Sequence, residues 1–195
     1  MSMSLNELLA EATTAASGAV GTEGAWQSLA EFTLLGNTLQ MVERRILGTI
    51  GEDAVAVPAK PGRYAAECRV IKYDTDLRVS RMRVRPVGID VTLGDAAGKI
   101  SVDMGGIAIV DIDTFAPSTD ENEDEYQEWL ETALFETEDI VGVMRWGPTE
   151  PDIPFASGGF GGGRYPIYHL MHAGQVAGLE VEFIAANTPY PFGQE

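Results

Sequence analysis

The sequence predicts an α+β fold: a mainly antiparallel β-sheet, as a sandwich or partly open barrel, with N-terminal helices and one inserted acidic amphipathic helix. Three observations carry this. Apolar residues recur at helical spacing near the N-terminus and again in one later segment, about 119–137. Short apolar runs bounded by Gly, Pro and Asp turns fill most of the remainder. Helices thus come first and strands afterwards, an order that segregates rather than alternates the two element types. The 195 residues suit one ordinary domain, divided into an N-terminal helical segment, 1–36, and a β-rich domain, 37–195.

Ser4-Leu5-Asn6-Glu7 is a capping box, followed by Leu5, Leu8, Leu9 and Ala12 at helical spacing. Ser17-Gly18 and Gly21 end that helix. A second is predicted over Glu23 to Leu34, with Trp26, Leu29, Ala30 and Phe32 as its apolar positions and Gly36-Asn37 as its stop. Thr38 to Ile46 suits either helix or strand. Ala54 to Val57 is a short apolar run closed by Pro58, and Pro61-Gly62 marks a turn. Arg63 to Tyr73 and Leu77 to Arg85 read as antiparallel strands joined at Asp74-Thr75-Asp76. Val87 to Leu93, Ile100 to Met104 and Ile107 to Ile112 read as further strands. Ser118-Thr119-Asp120-Glu121 is a second capping box, and Tyr126, Trp129, Leu130, Ala133 and Leu134 then form one apolar stripe. Val141 to Trp146 and a Pro-punctuated connection lead to the run Gly158 to Gly163. A hairpin closes the chain, Tyr165 to Met171 and Val176 to Ile184, turned at His172-Ala173-Gly174-Gln175.

Charge is the most unusual property. Net charge is −17, and residues 101–195 hold eighteen acids against Arg145 and Arg164 alone. From Asp111 to Asp139 there are twelve acids and no Lys or Arg. Such a block repels itself unless it is solvated or met by a basic partner. It argues against direct contact with nucleic acid or anionic membrane, which both need a cationic face. Around the apolar stripe, Glu121, Asp124, Glu128 and Glu131 fall outside it and Glu123 lies at its edge. The predicted partner-binding face is therefore Asp120, Glu121, Glu123, Asp124, Glu125, Glu128 and Glu131.

Other constellations carry less. Cys68 stands alone in a strand and reads as a buried structural thiol. Arg81, Arg83 and Arg85 alternate onto one sheet face, where the chain's own surplus carboxylates are expected to meet them. Asp103, Asp111 and Asp113 could hold a hard cation, although no ordered calcium-loop pattern surrounds them. His169 and His172 are the only histidines, and on a strand entering a turn they point to opposite faces. The glycine run leads into a strand without a following Lys, so a tight loop is expected rather than a phosphate cradle. No nucleophile–base–orienter order stands out, so the chain is expected to be non-enzymatic and to need no cofactor. No apolar stretch is long enough to span a bilayer and no basic leader precedes an apolar core, which leads us to expect a cytoplasmic protein.

Three segments together resemble the bacterial domain-of-unknown-function family 4241. They are Val57 to Tyr64 with Arg78 to Val84, Val102 to Asp111, and Ser157 to Tyr168, in matching order across roughly residues 37–185. One departure is Gly162, which stands where the family pattern carries Asp. Small acidic bacterial domains of this style resemble immunity proteins, which neutralise toxins delivered between competing cells. The expectation is an immunity or antitoxin-like protein, monomeric or homodimeric, that occludes the basic surface of a toxin or effector domain. The alternative is a small-ligand- or divalent-metal-binding domain, with or without hydrolytic activity, using Asp103, Asp111, His169 and the loop Gly159 to Gly163.

Overall fold

A computed structural model describes residues 20–47, 54–74, 76–103, 106–115, 122–136, 140–146 and 152–191. Among the described residues, twelve strands and one α-helix build three layers. The first layer is a seven-stranded sheet of β1 (Thr22–Glu23), β2 (Gln27–Leu34), β5 (Gly62–Tyr73), β6 (Asp76–Pro86), β7 (Thr92–Val102), β11 (Gly163–His172) and β12 (Gln175–Glu182). Its order is β1-β5-β6-β12-β11-β7, with β2 also paired on β5. The second layer is a five-stranded sheet, β4-β3-β8-β10-β9, formed by β3 (Thr38–Glu43), β4 (Ala54–Pro58), β8 (Ile107–Asp111), β9 (Val141–Met144) and β10 (Ile153–Ala156). The third is the helix α1 (Glu123–Glu131), continued by a π turn, Thr132–Glu136. Every strand pairing is antiparallel.

The apolar pattern explains the layering. Between the sheets lie Leu39, Met41, Met82, Val84, Ile109 and Val181, all buried. β4 meets β7 and β2 meets β9, so the two sheets approach each other at both margins. On the far side of the five-stranded sheet, Val42, Ala108, Val110, Ile153 and Phe155 form a second core that α1 covers. The strand β8 is therefore buried on both faces, which is why Ile107-Ala108-Ile109-Val110 reads as an unbroken apolar run rather than an alternating one.

Several sequence expectations change here. Gln27–Leu34 is a strand and not a helix, paired with β5 from Gln27↔Cys68 to Leu34↔Gly62. A register shift between Ser28 and Ala30 breaks its period-two pattern, and that break mimics helical spacing. Val87 and Gly88 turn, and the two strands expected around 87–104 are one long strand, β7. The Pro-punctuated connection contains an additional strand, β10. The expected first helix and the whole 118–121 capping box, including the predicted contact residues Asp120 and Glu121, lie outside the described residues. No helix among the described residues is long and apolar enough to cross a membrane.

Candidate functional site

The site begins with how α1 is anchored. Tyr126 and Leu130 are buried, and Trp129, Ala133 and Leu134 pack against the same cluster. The Tyr126 hydroxyl donates to the Leu47 carbonyl at 2.6 Å. Burial, with the Glu123 charge beside it, pushes this phenol up to about 12, so it remains a neutral donor across the physiological range. Trp146, at the end of β9, closes a triangle with Tyr126 and Trp129, with ring centroids 5.3–5.6 Å apart. Both tryptophans stay partly exposed at the margin of the helix.

The opposite face is anionic. Glu123, Asp124, Glu125, Glu128 and Glu131 are all exposed. The Gln127 amide donates to Glu123 one turn back, at 2.8 Å. Asp124, Glu125, Glu128 and Glu131 make no ion pair among the described residues. Glu123, Asp124 and Glu125 gain from the positive end of the helix dipole. Glu128 and Glu131 do not, and Asp124 faces Glu128 at i, i+4, a mutually repulsive spacing.

Eight of the arginines pair with carboxylates elsewhere in the fold. Arg45 pairs with Asp103, Arg63 with Glu31, Arg78 with Asp76 and Arg145 with Asp152. On the outer face of the seven-stranded sheet, Arg81 meets Glu23, Glu180 and Glu182. Arg83 and Arg85 share Glu67 at 2.7 and 2.8 Å, and Arg69 bonds Glu23. Trp26 lies under the guanidinium groups of Arg83 and Arg69, 4.0 and 4.8 Å from its centroid. The Arg81–Arg85 ladder is thus an internally neutralised face, as its sequence setting suggests.

The residues of the alternative reading have other partners. Asp111 is buried and accepts the backbone N–H groups of Leu35 and Gly36, both at 2.8 Å, while Asp113 accepts that of Asn37 at 2.6 Å. A side chain at Gly36 would sit 2.4 Å from the Asp111 carboxylate, so the turn between β2 and β3 requires glycine there. His169 sits within β11, and His172 donates from Nδ1 to the Asp90 carbonyl at 2.9 Å. Among the described residues no three His, Cys, Asp or Glu side chains converge to hold a metal. Cys68 is fully buried and its thiol is pushed up to about 12 by that burial.

In the glycine loop, the Gly161 N–H donates to the Gly158 carbonyl at 2.9 Å, and the Tyr165 hydroxyl donates to the Gly161 carbonyl. A Cβ at Gly162 would lie 2.7 Å from the Asp103 carbonyl oxygen, so an Asp at this position would require that backbone to move. The loop lines a cleft of about 300 Å³ whose one cation, Arg78, is held by Asp76.

No protein-family model, curated protein or solved structure matches this chain. No family model supports the expected likeness to family 4241, whose described segments lie in the β4–β5 connection, β6, the end of β7, β8 and the glycine loop entering β11. Composition pointed to the acidic face. Trp146 was missed, because only the fold brings it beside Trp129.

Proposed function

We propose that this protein is a non-enzymatic binding protein of the bacterial immunity or antitoxin type, acting in the cytoplasm by occluding the basic surface of a cationic toxin. One observation carries the reading. Eight arginines are paired with carboxylates elsewhere in the fold, whereas Asp124, Glu125, Glu128 and Glu131 project from α1 and meet no cation among the described residues. The helix dipole favours Asp124 and Glu125 but not Glu128 and Glu131, and Asp124 repels Glu128 one turn on, so a partner's charge is the natural complement of the row. Toxins that attack nucleic acid present basic clefts, and an anionic face accelerates encounter with them by electrostatic steering. Trp129 and Trp146 supply partly exposed aromatic surface at the margin, the residue type that dominates binding energy at interfaces.

The test is affinity for the protein encoded by the adjacent gene, measured for the native chain and for a variant carrying Asp124→Lys and Glu128→Lys. The expected result is an association rate lower by about tenfold or more, a weakened salt dependence and an unchanged melting temperature. Tight binding that ignores the double reversal would remove α1 from the interface.

A further inference from the structure

A cavity of about 500 Å³ opens at the end of the molecule where the β4–β5 connection, the β6–β7 loop and the β11–β12 turn meet. That volume is in the range of small-molecule sites. Its apolar wall comes from Pro58, Pro61, Pro86, Ile89 and Val176. Its ionisable side chains are Lys60, Arg63, His172 and Tyr64, and no Asp or Glu lines it. In a chain with thirty acids against thirteen bases, a concave surface without a carboxylate runs against composition.

The walls are fixed before any ligand arrives. The Tyr64 hydroxyl donates to the Lys60 carbonyl at 3.0 Å, and the Ala59 N–H donates to Asn37 at 2.8 Å, which ties down the β4–β5 connection. Arg85 Nη1 donates to the Ile89 carbonyl at 3.1 Å, holding the β6–β7 loop. His172 ties the hairpin turn to that loop through Asp90. Because a carbonyl can only accept, the His172 proton sits on Nδ1 and leaves Nε2 as the ring's remaining polar atom. Proline fixes φ, so three prolines in the wall further reduce the ordering cost of binding. Arg63 is engaged by Glu31, whereas Lys60 is exposed and makes no ion pair among the described residues.

We propose that this cavity binds a small monocarboxylate with an apolar body, the chain lying against the proline and aliphatic wall and the carboxylate meeting the Lys60 ammonium. The site shares no residue with α1 and has none of its acidity, and it is a second binding function rather than part of the acidic face. Calorimetric titration of the full chain with octanoate tests it, with octylamine as the control of equal apolar length and opposite charge. The expected result is saturable one-to-one binding of octanoate and none of octylamine. Lys60→Glu, at an exposed position, should weaken octanoate about tenfold with the melting temperature unchanged. Ala177→Trp, which fills the cavity, should abolish binding, and the α1 double reversal should leave it intact. Absence of saturable binding, equal affinity for octylamine, or octanoate affinity unaltered by both cavity variants would each overturn the proposal.

Discussion

Asp111 shows how a single side chain can carry two very different readings. Its spacing from Asp113 fits a cation site, yet its carboxylate caps a turn more than seventy residues earlier in the chain. The charge-assisted bonds to Leu35 and Gly36 hold the β2–β3 connection, and that connection joins the two sheets. Removing the carboxylate leaves the buried Gly36 N–H, and the half-buried bond of Leu35, without their acceptor, an expense of about 1–3 kcal/mol. Asp111→Ala should therefore lower the unfolding free energy by that amount, read as a lower urea midpoint at unchanged slope, and Asp111→Asn should recover part of the loss through its remaining amide oxygen. Divalent cations should not alter either result. The residues involved were legible in the sequence. Their partner was not, because a backbone N–H carries no sequence signature and its proximity is created by the fold.

At the scale of elements, α1 was legible and β2 was not. The Tyr126–Trp129–Leu130–Ala133–Leu134 stripe follows a 3.6-residue period, and the structure buries or half-buries each of these residues. In β2 the register shift near Leu29 displaces the alternation, so Trp26, Leu29 and Ala30 look helical although Phe32 and Leu34 alternate inward. Anchoring of α1 depends on few side chains. Leu130→Ala should cost about 2–4 kcal/mol, because the helix covers the second core without help from the first. The tryptophan emission should shift to the red as Trp129 and Trp146 gain water. A native spectrum with full loss of partner binding would separate surface charge from helix anchoring. The short Ile153–Ala156 strand is hidden in the sequence for another reason: Pro154 argues against a sheet interior, yet β10 lies between β8 and β9.

For the whole molecule, the governing quantity is how −17 charges are arranged. Glu67 and Glu180 lie on the same sheet face with opposite tendencies. Burial raises Glu67, but Arg85 and Arg83 outweigh it and hold the carboxyl below its ordinary value. Burial dominates at Glu180 and raises it despite Arg81. The signs follow from linkage. Glu67 contributes stability above the unfolded carboxyl value, and the contribution is lost as pH falls through its lowered native value. Glu180 contributes below the unfolded value, and that contribution is lost as pH rises through its raised native value. Glu67→Gln should therefore lower stability at pH 7 by about 1–3 kcal/mol and flatten the acid limb of the stability curve. Glu180→Gln should cost less at pH 7 and should make stability less sensitive as pH rises from the unfolded carboxyl value through the raised native one. Chemical denaturation between pH 3 and 8 measures both.

The sequence by itself determined the α+β class, the β5–β6 and β11–β12 hairpins, the outward placement of the arginine ladder and the amphipathic character of α1. These are local properties, since alternation, helical spacing and turn chemistry are written in neighbouring residues. Only the tertiary structure decided which charges are neutralised. Arg81 finds Glu180 about a hundred residues away, and Arg63 finds Glu31 across a strand pair. Pairing of that kind is set by strand order and register, which composition does not specify. The same long-range placement brings Trp146 beside Trp129 and assembles the carboxylate-free cavity from three separate loops. Acidity was visible in the chain from the start, but the distinction between acids that hold the fold and acids left facing outward required the sheets to be folded together.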